Sequence, residues 1–342
     1  MWTLSVCIPI YNTDVRTLVN ALCRQIDDLN TAHIDIILID DASASAFNSI
    51  NQFTHSKVRL IQLDQNMGRS KIRNAFLQYT TASYLLFIDG DSTVANPFFL
   101  QNYLNYLTQN QDTTVLVGAS LYQVQTPALE HRLRWAYSTQ RESLDFEQRN
   151  KEVHTGFKTN NFLIQRNLFA QFPFDEELTG YGHEDTIFGL QLQEHNIQIS
   201  HINNPVWNLK LDTNTEFLMK TDSALSNLLR LQQRYNTPML LATNKLLQYF
   251  AFANRCMLTR CVLWGLSLKT GLYRRILRTG RAPLFIFDLY MPDVNGLELA
   301  KMIRQLDKYS SSPILVLSSD DTMQNKVSII QAGSDDLISK QT

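Results

Sequence analysis

Unbroken apolar runs recur along the first third of the chain, and each is followed by a stretch with helical spacing. The runs are "LSVCIPI" from Leu4, "IDIILID" from Ile34, "VRLIQLD" from Val58 and "SYLLFIDGD" from Ser83. Runs this short and this apolar read as strands buried on both faces rather than on one. Between them, Val15, Leu18, Val19, Leu22 and Ile26 recur at helical intervals, and Ile72, Ala75, Phe76 and Tyr79 share another helical face. "NPFFLQNYLNYL" predicts a further helix, with Asn96 as N-cap and Pro97 at its first position. "TTVLVGASLY" predicts a fifth strand. This alternation predicts an α/β fold whose largely parallel sheet carries helices on both faces. Ligands in such folds sit at the carboxyl ends of the strands. Tyr11, Asp41 and Asp89 to Asp91 all fall there.

The pattern loosens from about Leu121 to Lys210. "TGFKTNNFLIQRNLF" predicts a strand entering a helix, "GYGHEDTIFGLQLQEHN" a glycine-flexed loop feeding a helix, and "IQISHI" another strand. Residues 216–236 and 239–268 read as helices. A net charge of -1 over 342 residues gives no global attraction to nucleic acid, and no nucleic-acid partner is expected. Cys7, Cys23, Cys256 and Cys261 have neither CxxC spacing nor nearby histidine pairs, so reduced thiols in a cytosolic protein are expected. The opening "MWTLSVCIPIYN" lacks a basic segment before its apolar run, and no long uninterrupted apolar stretch predicts a membrane span.

Two aspartates one residue apart at a buried strand's end, in "FIDGDS", suit a diphosphate leaving group. One carboxylate can reach a ribose and the other a divalent cation that offsets the developing charge. A surface turn would carry such a pair equally well, but not straight after five apolar residues. Asp41 in "LIDDAS" could accept from a uracil imide N–H, or cap the next helix. In "NMGRSKIRN", Gly68 permits close backbone approach, and Arg69, Lys71 and Arg73 offer positive charge to a base or phosphate, or to solvent. In "GYGHEDTIFG", Glu184 and Asp185 open a helix whose N-terminus favours negative charge. They could take a proton from an acceptor hydroxyl, or simply cap the helix.

With "VCIPIYN", "LIDDAS", "NMGRSKIRN", "FIDGDS" and "GYGHEDTIFG" in this order, the chain resembles the inverting glycosyltransferases of family 2, over roughly residues 1–285. The resemblance implies the GT-A nucleotide-diphospho-sugar transferase fold, an inverting hexosyl or N-acetylhexosaminyl transfer, and a UDP-sugar donor. It implies a nucleotide pocket lined by Pro9, Tyr11, Asp41, Arg69, Arg73, Asp89 and Gly90. Asp89 would contact the ribose, Asp91 would hold Mn²⁺ or Mg²⁺, Asp185 would be the base and Glu184 would support the acceptor. Family members often carry a histidine after a later "NP" segment. Here Asn208 of "NNPVWNLKL" takes that place as a weaker metal ligand. His201, on the expected strand, reads as structural.

Between Pro238 and Arg281 lie eight basic residues and no Asp or Glu, interleaved with Tyr249, Phe250, Phe252, Leu263 and Trp264. A basic amphipathic helix suits an anionic bilayer, as does a helix packed on the protein with a solvated basic edge. The first of these predicts peripheral membrane contact at the inner face and a saccharide or lipid-linked acceptor, in surface polysaccharide or glycolipid synthesis. The tail segments "FIFDLYMPDVNGLELAKMIRQ", "SPILVLSSDD" and "IIQAGSDDLISK" resemble the later part of a response-regulator receiver domain. That resemblance places a phosphoacceptor at Asp288, a switch hydroxyl at Ser318 and a phosphate-binding lysine at Lys340. The receiver's early strands and acidic metal-binding pair are missing, so the tail is expected not to accept phosphate. The expected organisation is a transferase domain over residues 1–237, a basic helical extension over 238–282 and a receiver-like segment over 283–342. The competing readings are a phospho-signalling protein and a nucleotide-sugar-binding pseudoenzyme.

Overall fold

The computed structural model describes residues 2–29, 33–151, 153–178, 180–235, 285–289, 295–305, 314–318 and 322–339. The basic stretch 238–282, Lys340, Cys256 and Cys261 lie outside the described residues. The chain divides into two compact units, residues 1–236 and 237–342.

In the first unit the apolar runs become β1 (Leu4–Ile10), β2 (Ile34–Asp40), β3 (Val58–Gln62) and β4 (Tyr84–Ile88). They pair in parallel in the order β3-β2-β1-β4. Beyond β4 the sheet continues through β8 (Asn161–Gln165), β6 (Val115–Val117) and β9 (Ile199–His201), giving seven strands. β8 runs antiparallel to both β4 and β6. The expected α/β architecture with a mostly parallel sheet is therefore present, with one reversed strand.

Side chains of β1 alternate between two cores. Leu4, Val6, Ile8 and Ile10 pack against α1 (Arg16–Leu29) and α4 (Phe99–Gln109) on one face. Cys7 and the neighbouring Ile37, Ile39 and Phe87 pack against α3 (Arg69–Tyr79), α7 (Arg166–Gln171) and α8 (Glu184–Glu194) on the other. Phe87 and Phe162 stack at 4.8 Å, and Phe169, Phe174 and Phe188 close the cluster around them. Aromatic pairs at these separations add stability beyond their buried area. Cys7 and Cys23 are buried free thiols.

Two local expectations need correction. Helix α4 starts at Phe99, not Pro97. Asn96 caps the preceding turn instead, its Oδ1 accepting from the Phe98 N–H at 2.9 Å. The "TTVLVGASLY" strand also breaks, into β6 and β7 (Ser120–Leu121). A Cβ on Gly118 would lie 2.1 Å from Asn161 Nδ2, so only glycine lets the chain pass there. β7 joins β5 (Ser92–Val94) and β10 (Val206–Asn208) in a small second sheet of order β5-β10-β7.

A 3₁₀ turn (Leu129–His131) leads into α5 (Arg132–Tyr137), a π-helical turn (Ser138–Glu142) and α6 (Phe146–Lys151). A short helix, α2 (Ser45–Ile50), lies between β2 and β3, and the unit closes with α9 (Asn214–Tyr235). Among the described residues, no helix is long and apolar enough to cross a membrane.

The second unit contains β11 (Phe285–Asp288), α10 (Gly296–Arg304), β12 (Ile314–Ser318), α11 (Met323–Gln331) and β13 (Asp336–Ser339). The three strands form a parallel sheet of order β11-β12-β13. The strand carrying Asp288 is therefore an edge among the described strands.

Candidate active site

The site forms where β1, β2 and β4 end together. The loop after β1 is fixed to the loop after β2 by a reciprocal pair of contacts. The Asn12 N–H donates to Ser43 Oγ, and the Ala44 N–H donates to Asn12 Oδ1, both at 2.8 Å. Asn12 has φ of +49°, a left-handed conformation that asparagine tolerates better than most residues. Tyr11 projects into solvent beside this junction, 55% exposed, and Pro9 lies half-buried within β1.

Asp41 is buried, and its carboxylate accepts the backbone N–H groups of Met67 at 2.6 Å and Gly68 at 3.0 Å. The carboxylate thus ties the end of β2 to the loop that opens α3, a partnership absent from the base-binding and next-helix readings of the sequence. Burial pushes this carboxyl upward, Asp40 adds to the push, and the two N–H donors oppose it. Gly68 precedes the helix with φ of +83°, where a side chain would be strained.

The first turns of α3 present Arg69 and Arg73 toward the ends of β4 and α8. Arg73 is buried, and its guanidinium donates to Asp89 at 2.7 Å. Asp89 is thereby held, half-buried, at the mouth of the sheet. Gly90 follows because a Cβ there would lie 3.0 Å from Val15 Cγ1 and 3.1 Å from the Pro9 carbonyl oxygen. The small residue lets the turn settle onto β1. Burial, and then the neighbouring Asp89 charge, push the Asp91 carboxyl up to about 6, with Arg69, Lys210 and Lys220 pulling the other way.

Asn208 reaches the same edge through β10, where it pairs with Ser92 and where Leu209 N–H donates to the Asp91 carbonyl at 2.9 Å. Its Oδ1 accepts from Lys210 N–H at 3.1 Å, and its Nδ2 donates to Tyr122 Oη at 3.4 Å. His201 does not join it. Its ring nitrogens meet Arg149 at 3.2 Å and the Val153 carbonyl at 2.9 Å, within the core.

The "GYGHED" loop folds against α9. Gly180, Gly182 and His183 all have positive φ, and a Cβ on Gly182 would meet Ala224 Cβ at 2.7 Å. Asn227 Nδ2 donates to the carbonyls of Tyr181 and Gly182, pinning the loop. α8 then begins, with Glu184 accepting from Arg69 at 3.3 Å. Asp185 accepts from Lys158 Nζ at 2.8 Å and from the Thr186 N–H at 2.8 Å. Burial raises the Asp185 carboxyl, but the Lys158 ammonium and the Thr186 N–H outweigh it and hold the group below its usual range.

Arg69, donating to Glu184, and Arg73, donating to Asp89, therefore join the strand-end carboxylates to the helix that carries Asp185. Sequence reading missed Lys158, Arg134, Glu142, Tyr122 and Tyr181. Arg134 is buried, forms a two-pronged pair with Glu142 at 3.0 and 2.9 Å, and donates to Tyr122 Oη at 3.1 Å. The π-helical turn that presents Glu142 could have been a signal, because such turns cluster at functional sites, but it is invisible in sequence. Among the described residues, no group of three or more His, Cys, Asp or Glu side chains could hold a metal by itself.

Parallel strands here end in paired aspartates that face the acidic start of α8 across Arg69 and Arg73. Residues 5–171 match the family model of Glycosyl transferase family 2, and residues 272–342 that of the response regulator receiver domain. These matches cover just under half of the chain and about its last fifth, and over those residues it is similar to family 2 glycosyltransferases and to receiver domains. The uncharacterized glycosyltransferase EpsJ of Bacillus subtilis is 25% identical over 188 residues, covering 51% of this chain and 52% of that protein. The transcriptional regulatory protein CusR of Escherichia coli is 37% identical over 62 residues, 18% of this chain and 26% of that protein. The chain therefore spans about half of one relative and a quarter of the other. Among solved structures, glucosyl-3-phosphoglycerate synthase of Mycobacterium tuberculosis aligns with TM-score 0.47 and 17% identity, covering 66% of this chain and 79% of that chain.

Proposed function

We propose that this protein is an inverting glycosyltransferase that moves a hexosyl or N-acetylhexosaminyl unit from a UDP-sugar to a hydroxyl acceptor. The observation that carries the reading is one connected edge. Asp89, two residues before Asp91 at the end of β4, accepts from Arg73; Arg73 also donates to the Arg69 carbonyl, and Arg69 donates to Glu184, next to Asp185 on α8. The family 2 match over residues 5–171 supports the same reaction class.

The residues fit a divalent cation. Asp91 is a carboxylate made uncomfortable by burial and by Asp89, and a nearby dication would relieve it. Magnesium and manganese sites that handle phosphates commonly use one or two carboxylates and let the substrate's phosphate oxygens complete the shell. Asp91 and Asn208 would hold Mn²⁺ or Mg²⁺ here, and the ion would supply charge compensation to the departing diphosphate. Asp41, Tyr11 and Pro9 would flank the base, and Arg73 would keep Asp89 aimed at the ribose.

In the transfer, the acceptor oxygen bonds to the anomeric carbon as the bond to the diphosphate oxygen breaks on the opposite side. The hydroxyl proton passes to Asp185 Oδ2. That oxygen is engaged by Lys158 at 2.8 Å, so the acceptor displaces or shares the ammonium. Because Asp185 stays ionised through the neutral range, it is always ready to accept. Positioning within this frame supplies most of the acceleration.

The acceptor is a saccharide or a lipid-linked sugar, in surface polysaccharide or glycolipid assembly. The cytoplasmic face of a membrane would be its setting, with the basic stretch 238–282 as the surface contact. A panel of UDP-sugars assayed for UDP release with Mn²⁺ tests the reading. Release that disappears in Asp185→Asn while UDP binding persists supports it. Tight UDP binding with no turnover of any donor or acceptor would mark a pseudoenzyme instead.

A further inference from the structure

Asp89 and Asp91 create a difficulty for a diphosphate. Its oxygens bring negative charge to an edge that already holds two carboxylates, and a single dication shared with a neutral asparagine leaves part of that charge uncompensated. The fold places cations there from three separate elements. Arg69 opens α3, with its guanidinium carbon 4.6 Å from the centre of the Tyr181 ring. Lys220, from α9, sits 5.1 Å from the centre of the same ring. Lys210 follows β10 directly, one residue beyond the Leu209 N–H that binds the Asp91 carbonyl.

Their existing partners hold them to different degrees. The Arg69–Glu184 contact is long, at 3.3 Å, and half-exposed on the arginine side. Lys220 is held by the buried Asp212 at 2.6 Å, which fixes the ammonium in place. Lys210 has no ion pair among the described residues, and its exposed side chain is free to turn toward the edge. Tyr181, carried between Gly180 and Gly182, is the ring that links the two flanking cations. Lys210 and Lys220 both lie beyond residue 171, outside the family match.

We propose that Lys210 and Lys220 complete, with Arg69, a cationic cradle for the donor's diphosphate that contributes to donor binding independently of the metal ion. This rests on the glycosyltransferase reading above. Lys220 is held in place by Asp212, and Lys210 is the exposed member that meets the diphosphate from the β10 side.

The test is calorimetric titration of the full chain with UDP and with uridine, each in Mn²⁺ and in EDTA. Lys210→Met and Lys220→Met should each weaken UDP binding about tenfold in both conditions, the loss of one charge-assisted contact. Uridine binding should not change, and Lys210→Arg should recover most of the loss. Thermal melting controls for the broken Asp212 pair in Lys220→Met, and Lys210→Met, with no pair to break, tests the cradle without that complication. Wild-type UDP affinity in both variants, or a loss seen only with Mn²⁺, would overturn the cradle and leave the transferase reading standing. Failure of the unaltered chain to bind UDP even with Mn²⁺ would sink both.

Discussion

Asp91 carries an opposed pair of demands. An exposed aspartyl carboxyl titrates near 4. In the fold it is pushed up to about 6, first by burial and then by Asp89. A raised carboxyl means that the folded chain holds the proton more tightly than the unfolded one. The associated stability is complete below about pH 4 and is lost as pH rises through 6. At neutral pH the ionised group therefore costs roughly 2–3 kcal/mol in the ligand-free protein. Asp91→Asn should raise the melting temperature at pH 7.5 by several degrees, with the advantage shrinking toward pH 4, while removing Mn²⁺-dependent stabilisation by UDP. Asp185 behaves in the opposite sense. Its depressed carboxyl contributes stability that is present above the ordinary aspartate range and is lost only as pH falls through the lowered value. Asp185→Asn should cut donor turnover by about 10²–10⁴ with UDP affinity unchanged, read by steady-state kinetics alongside calorimetry. Much of this site was legible in the sequence because an acidic pair directly after five apolar residues has little structural reason to be there. Lys158 was not legible. One lysine in "GFKTNN" is indistinguishable from a solvated loop residue until β8 and α8 bring it to Asp185.

Strand existence was legible for the same reason that strand direction was not. A run buried on both faces announces a strand, yet nothing in "NFLIQ" records that β8 lies antiparallel to β4 and β6. Direction is set by how the chain returns through the irregular region before Asn161. The break between β6 and β7 was hidden as well, because a glycine within an apolar run can mean a bulge, a close approach or an ordinary strand position. Here it is close approach. Asn161 Nδ2 donates to the Ala119 and Asn204 carbonyls and leaves no room for a Cβ at residue 118. Gly118→Ala should therefore destabilise the protein by about 3 kcal/mol, measured by chemical denaturation with an unchanged dependence on denaturant. Asn161→Ala should cost stability too, by stranding Tyr103 Oη, which donates to Asn161 Oδ1 at 2.7 Å in the core.

On the scale of the whole molecule, one chain carries matches to two families. The first unit carries the paired aspartates, the arginines and Asp185, the proposed base. The second carries three parallel strands with Asp288 at the end of β11 and buried Ser318 at the end of β12, their backbones adjacent in the sheet. Asp288 lies on an edge among the described strands, and no Asp or Glu stands between residues 237 and 287 of the sequence to help hold Mg²⁺, so no phosphoryl transfer to it is expected. Incubation with acetyl phosphate and Mg²⁺ should leave the intact mass unchanged, whereas a stoichiometric phosphoryl gain abolished by Asp288→Asn would give the second unit a signalling role. The most direct test of the account is a crystal soaked with UDP and Mn²⁺ and measured at the manganese absorption edge. The prediction is an anomalous peak against the Asp91 carboxylate, with the uracil ring beside Asp41 and Tyr11. A nucleotide bound at any other edge of the sheet, or manganese remote from Asp91, would contradict it.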